Sequence, residues 1–396
     1  MRTAYKCRLR PASRQQAQLS RTFGCVRVAW NQTLAARQRL YATEGKSTSA
    51  AKASRALTVL KRQPEFAFLG EVSAVALQQA LRHQDKAFEA FFAKRSRYPR
   101  FKSRGQRQSA TFSRAGFQMR DGELRVAKVD GPLDFVWSWP TVDPVTLDPT
   151  SVTVGRDRAG RWFVTLSVEV ADPASLPTTG ENVGVDLGLK DFAVLSTGER
   201  IAHPKCLAAR QRRLARYQRR MARKQRGSCN RRKAKVKVAR QHAKVADARR
   251  DFLHKTSTDL VRRFDVIAVE DLAPSNMVRN RCLARAISDS GWAEFRRMLE
   301  YKAERRGRRV HVVDRFYPSS KTCSACGHLL ATLSLGTRHS TCPNCGTLHD
   351  RDINAARNLI AAGLAADACG GAVRPEWTTT RQAPSKQEPP LARVGA

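Results

Sequence analysis

The feature that most constrains this chain is a cysteine quartet near its C-terminal end, Cys323-x2-Cys326-x15-Cys342-x2-Cys345. Two such pairs facing each other across a loop place four thiolates tetrahedrally, as a Zn²⁺ ion requires. All four ligands are soft sulfur and no fifth group is offered, so the predicted site is closed and structural rather than catalytic. In so small a segment, zinc contributes on the order of 10 kcal/mol or more of folding free energy. Cys7, Cys25, Cys206, Cys229, Cys282 and Cys369 are scattered singly, which fits reduced thiols better than a disulfide framework.

At 396 residues the chain has room for two or three packed units. Lys and Arg number 73 against 34 Asp and Glu, a formal net charge of +39, so the expected partner is a polyanion rather than a neutral metabolite. Hydrophobic residues make up 41%, enough to build real cores beneath that charge. The N-terminus lacks a signal-like apolar run and no stretch reaches the roughly 18 uncharged apolar residues of a membrane helix. No membrane association and a cytoplasmic location are therefore expected.

Periodicity divides the chain. Tyr5–Leu9 reads as an edge-type strand, Ser13 to about Tyr41 as a helix with Ser13 as N-cap, and Val72–Phe92 as a second helix. Between Ser109 and Val170, short strands punctuated by Gly, Pro and Asp suggest a small barrel, and Asp172–Gly180 a linker. From Glu181 strands and helices alternate: strands at Val183–Asp186, Phe192–Ser196, Val266–Glu270 and Val310–Val313, and helices at Asp289–Arg306 and Ile353–Ala362. Between them, Lys205–Arg250 holds 19 Lys/Arg against one acid, Asp247, and Gly227-Ser-Cys-Asn230 breaks it into a helical hairpin. So one-sided a charge repels itself without a counter-polyanion, and Arg212, Arg213, Arg219, Arg220, Arg231 and Arg232 suit bidentate phosphate contact.

Three segments of the alternating region end in acids: Val183-Gly-Val-Asp186-Leu-Gly188, Val266-Ile-Ala-Val-Glu270-Asp271-Leu272, and His349-Asp350-Arg351-Asp352 at the start of a helix. Singly, each has an ordinary explanation as a cap or a surface residue. Together they match what phosphodiester hydrolysis with two divalent ions requires, converging hard carboxylate oxygens that suit Mg²⁺ or Mn²⁺.

Gly184-Val-Asp186-Leu-Gly188, Val269-Glu270-Asp271-Leu272, Tyr317-Pro-Ser-Ser-Lys-Thr-Cys323-Ser-Ala-Cys326-Gly327, Cys342-Pro-Asn-Cys345-Gly346 and Asp350-Arg-Asp352-Ile-Asn-Ala-Ala356, in this order, closely resemble the TnpB family, transposon-encoded RNA-guided nucleases related to type V CRISPR effectors. The resemblance covers about residues 1–365 and includes Trp30-Asn31 and Tyr98-Pro-Arg-Phe-Lys102. It implies a multidomain α/β chain with a β-barrel. A wedge barrel would comprise residues 1–12 and 97–178 and a helical recognition lobe 13–96. An RNase H-like RuvC nuclease domain would span 179–320 and 348–368, carrying the basic hairpin 205–250 and a zinc ribbon at 321–347. The tail 369–396, Pro-rich and weakly hydrophobic, is expected to be disordered.

By the same resemblance Asp186, Glu270 and Asp352 are the catalytic, magnesium-holding acids, Asp271 and Asp350 are neighbours rather than ligands, and Cys323, Cys326, Cys342 and Cys345 hold zinc. The implied partners are a guide RNA from the transposon end and a double- and single-stranded DNA target beside a short motif, with Gln78, Gln79 and Lys102 as candidates to read that motif. The setting would be prokaryotic and nucleoid-associated. Two other readings stay open: a DNA transposase acting directly on element ends, and a zinc-ribbon nucleic-acid-binding protein without catalysis.

Overall fold

The computed structural model describes residues 1–46, 48–334 and 336–368. The tail expected at 369–396 lies outside the described residues. The chain forms two compact units, Met1–Ala174 with Lys205–Phe252, and Ser175–Pro204 with Leu253 onward.

The first unit is built on an antiparallel sheet. Strand β1 (Arg2–Leu9) buries Tyr5, Cys7 and Leu9 at alternate positions. After helices α1 (Ser13–Glu44), α2 (Ala50–Arg62) and α3 (Ala74–Phe92) come β2 (Gln108–Ser113), β3 (Phe117–Arg120), β4 (Glu123–Val126), β5 (Phe135–Val136), β6 (Pro149–Arg156) and β7 (Trp162–Glu169). The sheet order is β2-β6-β7-β1-β5, with β3 and β4 as a separate hairpin.

Edge strands β2 and β5 do not pair with each other, so the expected barrel is an open sheet. The two residues of β5 reach only Arg8 and Leu9, too few to continue the ladder. They also leave most of that side of β1 without a strand neighbour, which is why β1 has the composition of an edge. Lobe and barrel are not separate bodies. Leu19, Phe23 and Val26 of α1, Leu77 and Leu81 of α3, and Val152, Val164 and Leu166 of the sheet share one core.

Residue Ala12, not Ser13, holds the N-cap position of α1; the Gln15 carboxamide accepts from Ala12 N at 2.9 Å. The basic segment, expected with the nuclease domain, belongs largely to this first unit as α4 (Gln211–Ala222) and the start of α5 (Cys229–Arg263). Gly227 breaks it at φ +85.

The second unit holds a mixed sheet, β10-β9-β8-β11-β12, made of β8 (Asn182–Leu187), β9 (Asp191–Leu195), β10 (Arg200–Ala202), β11 (Val266–Glu270) and β12 (Arg309–Val313). Strands β8, β9 and β10 run antiparallel, whereas β8, β11 and β12 are parallel. Parallel neighbours need a crossover; between β11 and β12 it is made by α6 (Pro274–Met277), α7 (Ala284–Ser290) and α8 (Trp292–Arg305). Gly291, at φ +72, separates α7 from α8, so the helix expected from about Asp289 to Arg306 is α8 and starts at Trp292, with Asp289 and Ser290 ending α7. Trp292, Phe295 and Leu299 are buried, as their spacing predicts. A small hairpin, β13 (His339–Thr341) and β14 (Leu348–Asp350), leads into α9 (Arg351–Ala368). Among the described residues no helix is long and apolar enough to cross a membrane.

Candidate active site and metal centre

Strand register decides where the first two acids stand. Gly184 pairs with Ala268 and Val185 with Val269, so Asp186 and Glu270 come next, side by side on strands about 4.8 Å apart. Side chains two apart share a face, so Asp186 lies on the face of Gly184 and Glu270 on that of Ala268.

That face carries α9. A Cβ on Gly184 would collide with the Ala356 carbonyl oxygen and lie 2.8 Å from its carbon, and one on Gly363 would lie 3.0 Å from the Ala268 methyl. Small residues thus let the helix lie close against the sheet. Asp352, one turn before Ala356, shares the helix face that meets the sheet. Alternation in two strands and periodicity in one helix therefore bring all three acids to one end.

Burial, then Glu270 and Asp352, push the Asp186 carboxyl up to about 7, against the pull of Arg351 and Arg338. Burial, then Asp271, raise Glu270 above the usual carboxylate range. Among the described residues neither the Asp186 nor the Glu270 carboxylate has a hydrogen-bond or ion-pair partner. Such a pair favours a cation.

The two flanking acids are engaged elsewhere. Asp350 Oδ1 accepts from Asp352 N at 3.0 Å and Ile353 N at 3.1 Å, capping α9, and its Oδ2 pairs with Arg200 at 2.7 Å. Asp271 pairs with Arg296 at 2.6 Å and with Arg315. Burial opposes the charge on Asp271, but these guanidiniums hold its carboxyl below the usual range.

Two basic residues that sequence reasoning missed stand beside Asp352: Arg338 at 3.3 Å and Arg200 at 3.5 Å. Arg200 opens β10 and Arg338 directly precedes β13, and only the fold brings them to the acids. Among the described residues, the cysteine quartet is the group whose ligand atoms close to within 4.8 Å of one another. Among the described residues the three acids do not close that far.

The quartet fits a metal well. Zn–S bonds of about 2.3 Å in a tetrahedron require sulfurs about 3.8 Å apart; Cys323 and Cys345 stand at 3.7 Å and Cys326 and Cys342 at 3.6 Å. The two turns match: Gly327 N donates to Cys323 O and Gly346 N to Cys342 O, each at 2.9 Å, with both glycines at positive φ. His349 Nε2 lies 3.0 Å from the Cys323 sulfur, a contact that orients a metal ligand. The segment is seated on α9, where Asn354 accepts from Ser324 N at 2.9 Å and donates to Thr322 O at 2.7 Å.

Other candidate residues lie in the first unit. Lys102 Nζ sits 3.8 Å from the Trp30 ring centroid, and its backbone is clamped by Asn31. Burial holds its ammonium down to about 8. Gln78 is exposed and Gln79 half-buried on α3. Arg231, expected on phosphate, instead donates to Met221 O at 3.1 Å and Lys224 O at 2.8 Å, closing the hairpin; Arg212, Arg213, Arg219 and Arg220 are exposed.

Family models match in three stretches: "Probable transposase" over 165–281, "Cas12f1-like, TNB domain" over 292–359, and "Helix-turn-helix domain" over 1–46. In the last stretch the structure has a strand and one long helix. A protein of Streptomyces pristinaespiralis named "Putative RNA-guided DNA endonuclease" is 51% identical over 100% of this chain and 98% of its own length. An Escherichia coli K12 protein named "Putative RNA-guided DNA endonuclease InsQ" is 32% identical over 98% and 97%. A Cas12f1–sgRNA–target DNA complex gives a TM-score of 0.35 at 17% identity, covering 91% of this chain and 99% of that one, too loose a likeness to argue from. The sequence matches define a protein of the mobile-element OrfB class. The chain belongs to the TnpB family.

Proposed function

We propose that this protein is an RNA-guided, Mg²⁺-dependent DNA endonuclease of a mobile element, with Asp186, Glu270 and Asp352 holding the catalytic ions and the four cysteines holding structural zinc. The observation that carries it is the convergence of those three acids on one face, while Asp271 and Asp350 are tied to arginines and a helix cap. Full-length identity to relatives named as RNA-guided DNA endonucleases supports the partners, a guide RNA from the transposon end and a DNA target. Three antiparallel strands followed by parallel ones support the RuvC reading of the second unit.

With two divalent ions bound, the site gains a means to activate water and to stabilise the leaving oxygen. The chain's own contribution is placement. Strand ends fix Asp186 and Glu270, a capped helix fixes Asp352, and Arg200 and Arg338 hold the Asp352 carboxylate in position and add positive charge where a phosphodiester would lie.

The test is cleavage of a plasmid matched to the RNA that co-purifies with the protein. Cleavage should require Mg²⁺ and vanish in Asp186→Ala, Glu270→Ala and Asp352→Ala alike; persistence in any of them removes that residue from the site. The co-purifying RNA should end at the element boundary, and a random cellular sample refutes guidance. The match to a transposase model over 165–281 favours a second reading, direct joining of element ends, which a strand-transfer assay separates from simple cutting.

A further inference from the structure

The first unit contains a cavity of about 540 Å³ that the acid site does not use. Strands β1 and β7, the residues before β2, and α5 line it, and it gathers Lys6, Arg8, Arg107, Arg161 and Arg250 around Phe163. Two carboxylates face the same space, Asp157 and Asp247. Both are bound to one partner: Arg161 Nε pairs with Asp157 at 2.7 Å, and Arg161 also pairs with Asp247. Lys6, Arg8 and Arg107 have no carboxylate in ion-pair range among the described residues.

The phenyl ring of Phe163 holds the cations together. Lys6 Nζ lies 4.4 Å, the Arg8 guanidinium 5.0 Å and that of Arg161 5.4 Å from its centroid. Cation–π attraction allows positive groups to crowd where their mutual repulsion would otherwise spread them. The crowding is felt: cover by the walls, then Arg107, Arg250 and Arg161, holds Lys6 below its usual ammonium value. Lys6 and Arg8 alternate along β1 with inward-facing Tyr5, Cys7 and Leu9, so these two cations lie on the face of β1 away from its buried residues.

We propose that this cavity is a phosphate-binding site for a nucleic-acid strand, taking consecutive backbone phosphates on Lys6, Arg8 and Arg107, with Arg161 held in place by its two carboxylates. Guanidinium forks match phosphate oxygens bidentately, and a strand supplies the repeated negative charge that crowded cations require. The inference rests on the reading of the protein as a nucleic-acid enzyme but not on which acids are catalytic. Because RNA and DNA carry the same phosphodiester, the test separates them.

The experiment measures binding of a single-stranded RNA and of a DNA duplex of the same sequence across a salt series. It compares the full chain with a variant carrying Lys6→Gln, Arg8→Gln and Arg107→Gln. Each neutralised phosphate releases counterions, so losing three contacts should lower the log–log salt slope by about 2 for the RNA or about 2.7 for the duplex. A fall with one probe names the strand that occupies the cavity; an unchanged slope with both overturns the proposal. A control with Arg39→Gln, Lys46→Gln and Arg55→Gln, all exposed elsewhere in the first unit, should leave the slope alone, and an equal fall there also overturns the site. If the glutamine variant fails to fold, Lys6→Arg with Arg8→Lys, which keeps both charges, must bind with the wild-type slope while Arg107→Gln alone lowers it by about 1. Asp186→Ala should lose cleavage and keep the slope, so failure of the cavity and failure of the nuclease reading are distinguishable.

Discussion

Adding one methyl group to Gly184 tests how the second unit assembles its site. An alanine Cβ there would overlap the Ala356 carbonyl oxygen, 2.8 Å from its carbon and 3.0 Å from Ile360 N. All three atoms are α9 backbone, so no rotamer change relieves the clash and the helix must retreat by about 1 Å or more. Overpacking a tight core costs about 1–3 kcal/mol, and a rigid backbone obstacle puts Gly184→Ala at the upper end. Asp352 rides on the same helix, and a misplacement of about 1 Å can cost on the order of 10²-fold in rate. Urea denaturation should show the lowered stability, and plasmid cleavage the larger loss. Gly24→Ala is the control: nothing lies within 4 Å of its added Cβ, and a Gly-to-Ala change inside a helix stabilises by about 0.5–1 kcal/mol. Wild-type stability and cleavage in Gly184→Ala would refute the close seating of α9 on β8 and the placement of Asp352 derived from it.

Asp186→Asn should stabilise the metal-free protein while abolishing cleavage. The folded carboxyl titrates near 7 rather than 3.8, so its ionised form is disfavoured in the native state; stability is unaffected below the lower value, falls as pH rises between the two, and stays reduced above. The ceiling is about 4 kcal/mol, and denaturation in a chelator at pH 4 and pH 8 should show the wild type losing more stability than Asp186→Asn over that interval; parallel behaviour would refute the unpaired-carboxylate account. Zinc removal, or Cys326→Ser, should raise hydrogen exchange through Thr322–Thr347 and lower cleavage; unchanged exchange would show that the segment holds itself without metal.

What could be read in advance was local. The apolar runs Val183–Val185 and Val266–Val269 end in acids, and both are strands of the site. The spacing of the cysteines announced the knuckle because its geometry depends on a few neighbouring residues. Helix α2 escaped notice because Ala50–Arg62 buries only Ala53 and Leu57, too few apolar positions to declare a period, although Ser49 accepts from Lys52 N as an N-cap. Ser13 looked like a cap because serine favours that place, but a glutamine three residues on does the work for Ala12. Arg200, Arg338 and the cavity around Phe163 join residues far apart in sequence, and no pattern along the chain signals such pairings.

The role of Asn354 shows how the two metal-type centres relate. In sequence it belongs to the acid motif, yet its side chain grips the cysteine segment at Ser324 and Thr322. Asn358, one turn later, donates to Ser319 O at 2.7 Å and Thr322 O at 2.6 Å. From the other side of that segment Arg338 reaches Asp352. The helix that carries the third acid is thus braced by the thiolate knuckle at three points, all within a turn or two of the carboxylate. Among the described residues of 321–347, Cys323 and Cys342 are buried and little else is, so the segment needs an anchor other than an apolar core, which four sulfurs around one ion would supply. If the cysteines hold zinc as proposed, losing the ion would loosen the contacts at Asn354, Asn358 and Asp352 together, so Asp352 should shift when the knuckle melts.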